Sequence, residues 1–197
     1  MKLAILGALS AGLYLSTRSD TDTGGAMGVV GSEWASDTPG APSPGTSQNP
    51  ERTMQYFDPS EFGPWWPHMS RELLQKLDKF RGLWGAPVEV SPAAGGIGRH
   101  LGPGDTSQHN IDRWGKVLAV DVFPKVPAGR SGYRYMSTRA DRARALRCAK
   151  QAGFSGIGLY TDTQPGNMIH VDDRATEAVA LWSRIDGAYL GINEALA

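Results

Sequence analysis

One cysteine in 197 residues excludes an intramolecular disulfide framework and any zinc site built on thiolates. Cys148 is left as a small apolar group inside a helix. An excess of either charge is also missing. Twenty Lys and Arg face 20 Asp and Glu, for a formal net charge of zero. Nothing global therefore draws the chain to nucleic acid or to an anionic membrane surface. The N-terminal apolar run, Leu3 to Leu15, is shorter than the roughly 20 residues a membrane-spanning helix needs. It suits the apolar part of a secretory signal or a short uncleaved anchor, and no clean small-x-small cleavage site follows it. Histidine is scarce, with four copies, so the context of each one carries weight.

Glycine (25) and proline (13) are plentiful and predict a loop-rich fold, while 40% hydrophobic content with six Trp supplies a core. The length fits one domain with extra segments. Residues 1–18 form the apolar signal or anchor. Residues 19–61 are rich in Pro, Gly and Ser, too poor in aliphatics to offset their ordering entropy, and read as a linker. The folded domain runs from 62 to 197. An apolar start and a tether imply a domain held near a membrane or in an assembly, hence an extracytoplasmic, anchored or secreted protein, or a virion-associated one.

Within the domain, Ser70 is a candidate N-cap for a helix in which Leu73, Leu74, Leu77, Phe80 and Trp84 recur at helical spacing up to Gly85. Ser137 similarly opens a helix ending at Ala152, with Gly153 as its αL terminus. Strands are expected at 87–91, 117–123, 156–160 and 168–172, the last two joined as a hairpin. Residues 176 to about 188 carry Ala178, Leu181, Trp182 and Ile185 on one helical side. Strands and helices without regular alternation predict an α+β fold, a small and mostly antiparallel sheet flanked by helices. The glycine-rich stretch 93–106 lacks the strand–helix setting of a phosphate loop. His68 among Pro and Trp reads as packing, His100 as a surface loop residue, and the basic segment Arg130 to Lys150 as a solvated helix face.

Ser107-Gln108-His109, Ala119-Val120-Asp121 and His170-Val171-Asp172 hold the remaining chemistry. Two imidazoles and a carboxylate form the three-ligand set that catalytic zinc favours, with a fourth position open to water. His170 and Asp172, two apart on a strand, face the same side, so Asp172 is placed to orient an imidazole or a substrate group. With Gly156-Ile157-Gly158-Leu159-Tyr160 and the helix from Ser70, these stretches resemble, in order, the motifs of the zinc D-Ala-D-Ala carboxypeptidase family. That family includes phage endolysins and the hedgehog signalling domain. The resemblance covers roughly Ser70 to Leu196. It implies a peptidase fold, Zn2+ held by His109, Asp121 and His170, and hydrolysis of peptidoglycan stem or cross-link peptides.

The chain departs from the family pattern at three places. His109 and Asp121 stand further apart than usual, which an insertion in the intervening turn explains; Asp112 is the rival ligand. Asn167 occupies the position of the proton-shuttling carboxylate, leaving Asp172 and Asp162 as candidates for that role. Ser91-Pro92-Ala93-Ala94 replaces the arginine-bearing motif, and Arg99 is the nearest substitute for an oxyanion or carboxylate partner. Ser131-Gly132-Tyr133-Arg134 copies that motif but falls after Asp121 and is taken as coincidence. The departures keep a second expectation open: a structural or wall-binding protein, such as a virion component, that retains the fold and the metal without catalysis.

Overall fold

The computed structural model describes residues 54–130 and 132–197. The expected N-terminal anchor and most of the linker lie outside these residues. Packed structure continues upstream of Phe62. Phe57 is buried, and Asp58 caps the 3-10 segment Pro59–His68 through a reciprocal box with Glu61. The aromatics Phe57, Phe62 and Trp66 pack in turn with tilted rings, which draws the end of the polar segment onto the core.

The fold is α+β. A seven-stranded sheet has the order β1 (Val88–Val90), β2 (Ala119–Ala128), β5 (Met168–Asp172), β4 (Gly156–Tyr160), β6 (Ala180–Ile185) and β7 (Ala188–Leu190), with β3 (Gly132–Tyr135) paired to the far half of β2. Every pairing is antiparallel except β4 with β6. Among the described residues three α-helices accompany the sheet: α1 (Arg71–Trp84), the single turn α2 (Ile111–Trp114) and α3 (Arg139–Ala152). None of the described helices is long and apolar enough to cross a membrane.

Local chemistry accounts for the helix ends. The Ser70 hydroxyl accepts from the Leu73 N–H, and Gly85 leaves α1 at φ +67°. For α3 the cap is Thr138 rather than Ser137, because only from Thr138 does Asp141 fall at the third helical position and complete a capping box. Strand alternation then sorts the sheet's two faces. Val120, Val122, Ile157, Leu159, Ile169 and Val171 point to one side and are buried with Leu73, Leu77, Phe80 and Trp84 of α1 and Ala145 and Ala149 of α3. Each large side chain so buried contributes about 1.5–3 kcal/mol. The opposite face carries polar groups and glycines.

One expected element is wrong. The stretch 176–188 is not helical; Ala180–Ile185 is a strand, and Asp186 (φ +50°) and Gly187 (φ +80°) turn the chain into β7. Leu181 and Ile185 satisfy a helical spacing, but the Asp-Gly pair is the stronger signal, since both residues adopt the positive φ of a tight hairpin turn. The parallel edge of β4 then takes the strand.

Candidate metal centre

The sheet register builds the site before any loop is considered. Asp121 on β2 lies directly opposite His170 on β5, which lies opposite Gly158 on β4, which lies opposite Trp182 on β6. All four share one row on the polar face. A Cβ at Gly158 would come within 2.5 Å of the Trp182 ring, so glycine there allows the indole to lean to 5.2 Å from the His170 ring. The next row is Ala119, Asp172, Gly156 and Ala180. Here a Cβ at Gly156 would fall 2.2 Å from the Asp172 carboxylate. The alternate glycines of 156–160 therefore make room for the two polar residues of His170-Val171-Asp172.

His109 arrives from the glycine-rich loop. That loop is tied to β2 by the Gly96 carbonyl, which accepts from the Asp121 N–H, and by Leu118 donating to the Gln108 carbonyl. Asn110, fully buried, donates to the carbonyls of Gly102 and Asp105 and fixes the returning strand of the loop. The Ser107 hydroxyl accepts from the His109 N–H. The long spacing between His109 and Asp121 is taken up by α2 and the turn after it, whose end at Gly115 adopts φ +67°.

Three donor atoms converge: His109 Nε2 and His170 Nδ1 are 3.2 Å apart, His170 Nδ1 and Asp121 Oδ1 are 2.9 Å apart, and His109 Nε2 and Asp121 Oδ1 are 3.5 Å apart. All three residues are buried, and together they could hold a metal ion. The outer nitrogens settle the tautomers. His109 Nδ1 lies 2.6 Å from the Ile97 carbonyl, which can only accept, and His170 Nε2 lies 3.0 Å from Asp172 Oδ2. Both outer nitrogens carry the hydrogen, so in the neutral rings the inner nitrogens present lone pairs to a carboxylate oxygen. Three acceptors at such distances repel one another unless a metal ion, or a proton held between a ring and the carboxylate, sits among them. The edges of a tetrahedron about zinc, with bonds near 2.0–2.1 Å, are about 3.3 Å long, so the spacing fits.

Electrostatics reinforce the set. With no metal bound, a proton shared with the imidazoles takes the cation's place: burial would raise the Asp121 pKa, but hydrogen bonding with His109 and His170 outweighs it and keeps the carboxylate well below its usual range. Burial likewise opposes charge on His170, and its bonds to Asp121 and Asp172 more than compensate, raising the pKa. Asp172 is fully buried, yet Arg174 and His170 bring its pKa down to about 2. Arg174 grips the Asp172 carboxylate with Nε at 2.8 Å and with Nη2, and its guanidinium lies 5.0 Å over the Trp182 ring. Asp172 is thus a charged support behind His170.

The other expected site residues fall as follows. Arg99 lines the cavity of about 540 Å³ beside the donor triad, its Nε donating to the Gly95 carbonyl at 2.7 Å. Asp162 does not line that cavity; its Oδ2 accepts from the Gly187 N–H and pairs with Arg184. Asp112 bonds His100 and the Gly102 N–H on the loop surface, away from the triad. Asn167 is buried on the helix side, accepting from Arg142 and donating to the Thr161 carbonyl. Arg134 pairs with Asp141 of α3, remote from the site.

Sequence reading gave no site role to Tyr160, Met168, Arg184 or Tyr189, which form the next row of the same face and complete the cavity wall. Their alternation with the buried Leu159 and Ile169 is visible in the sequence, but their meeting depends on β6 being a strand. No protein-family model matches this chain, and no characterised protein or solved structure shows a match to it.

Proposed function

We propose that the protein is a zinc-dependent peptidase that hydrolyses peptidoglycan stem or cross-link peptides, a cell-wall or virion-associated lysin resembling the zinc D-Ala-D-Ala carboxypeptidases. The observation that carries this reading is the convergence of two imidazole nitrogens and a carboxylate oxygen, buried and 2.9–3.5 Å apart, with the outer nitrogens of both rings already committed to Ile97 and Asp172. Two nitrogens and one oxygen suit zinc better than the all-oxygen shells of calcium or magnesium.

His109 Nε2, His170 Nδ1 and Asp121 Oδ1 would hold the ion, which supplies a bound water of near-neutral pKa and polarises a scissile carbonyl. Asp172 keeps His170 in the ligating tautomer and, through Arg174, stays ionised at every physiological pH. Arg99 stands where it can steady an oxyanion or a substrate carboxylate. Trp182 shields the imidazole from water on one side.

One observation favours the second reading, a non-catalytic wall-binding or virion protein. Among the described residues, Asp121 is the only carboxylate lining the cavity, and it belongs to the donor triad. Proton transfer would then fall to the buried Tyr160, to Tyr189 at the rim, or to solvent. Digestion of purified sacculi separates the two. Release of peptide amines that stops with chelator and with His170→Ala establishes the peptidase; intact sacculi at full zinc occupancy establish the binding protein.

A further inference from the structure

Two cavities meet at Asp121, the carboxylate of the donor triad. One, of about 540 Å³, is walled by Tyr160, Trp182 and Tyr189; the other, of about 400 Å³, by Ser91, Phe123 and Gln164. Asp121, Met168, Arg99 and Arg184 line both. The triad's carboxylate therefore borders both cavities, with two guanidinium groups at the junction and, among the described residues, no other carboxylate lining either space.

Both arginines are held in place. Arg99 lies over Gly95, where φ is +81° and a Cβ would sit 2.6 Å from Nε; its Nε donates to the Gly95 carbonyl. Any side chain at 95 would evict it. Arg184 is anchored through Nε, 3.3 Å from Asp162, and its guanidinium lies 5.6 Å over the Tyr160 ring. In both, the protein holds Nε and leaves the two Nη groups without a hydrogen bond to the described residues. A guanidinium already fixed loses little further freedom on binding, and its planar fork matches a carboxylate. Arg174, by contrast, is consumed by Asp172.

We infer that Arg99 and Arg184 form a carboxylate clamp across the metal centre, selecting peptides that carry an acidic group next to the bond presented to the triad. The inference rests on the peptidase reading for its choice of a peptide as ligand. The carboxylate belongs either to an acidic side chain or to a free C-terminus, and the chemistry of the clamp is the same for both.

The test is binding by the full chain in chelator, so that no bound ion contributes, with zinc-loaded protein in parallel. Three tetrapeptides are compared by calorimetry: one with glutamate and a blocked C-terminus, its glutamine counterpart, and the glutamine peptide with a free C-terminus. At least one carboxylate peptide should bind tenfold or more tightly than the neutral one, and which of them does so identifies the source. Arg184→Gln and Arg99→Gln should each erase most of that preference, with Arg184→Lys retaining part of it. Equal binding of all three by the unaltered protein overturns the clamp whether or not the variants fold. So does an undiminished preference in folded Arg184→Gln. Charge preference without hydrolysis removes the peptidase reading and leaves the clamp; hydrolysis without charge preference does the reverse.

Discussion

At the scale of single residues, the site depends on which atoms are already occupied. His109 and His170 each spend one nitrogen on the protein, and that leaves the other for a cation. Asp172 is the residue on which this division turns for His170. Substituting asparagine removes the charge that faces the outer N–H and leaves Arg174 without its carboxylate. Losing a support of this kind typically weakens metal binding 10–100-fold. Asp172→Asn should therefore bind zinc 10–100-fold more weakly than the unaltered chain in competition with a chromophoric chelator. An unchanged affinity would show that the His170 tautomer is fixed by something else. The three donor residues were legible because each sits in a short apolar strand or a Ser-x-His turn that announces its setting. Arg184 was not, since nothing near it in the chain distinguishes it from a solvent-facing arginine.

At the scale of elements, sheet register converts spacing into geometry. Gly156 and Gly158 alternate with Ile157 and Leu159, so one strand gives its side chains to the core and its empty positions to the site. The five-residue strands 156–160 and 168–172 and both long helices were readable from periodicity and caps. The stretch 180–185 was not, because its apolar spacing suits a helix and its true partner, the parallel edge of β4, is remote in sequence. α3 offers a separate test. Burial would raise the Asp141 pKa, but Arg134 and the amides of Ser137 and Thr138 outweigh it and depress the value. A carboxylate with a depressed folded pKa adds stability above its unfolded pKa, near 3.8, and loses it as the pH falls through the folded value. Asp141→Asn should cost about 1–2 kcal/mol in urea unfolding at pH 7, the range of a lost cap. The deficit should shrink toward strongly acidic pH.

At the scale of the whole molecule, the sheet divides labour between its faces. One face packs on α1 and α3 and stabilises the fold; the other is nearly free of large aliphatics and carries the triad, the arginines and the aromatic wall. An ion bound to strands β2 and β5 and to the glycine-rich loop ties the loop to the sheet in the folded chain alone. Binding of that kind stabilises by mass action, about 2.7 kcal/mol at a free concentration of one hundred times Kd. At about 2–4 °C per kcal/mol, zinc should raise the melting temperature by roughly 5–10 °C over protein in chelator. Scanning calorimetry reads the shift directly. His170→Ala should abolish it.

The central claim is that His109, Asp121 and His170 make a zinc site, and its most direct measurement is zinc content after equilibrium dialysis against buffered zinc. One ion per chain is expected for the unaltered protein, falling to near zero in His170→Ala of unchanged circular dichroism. A content near zero in the unaltered chain, with the triad intact, contradicts the account.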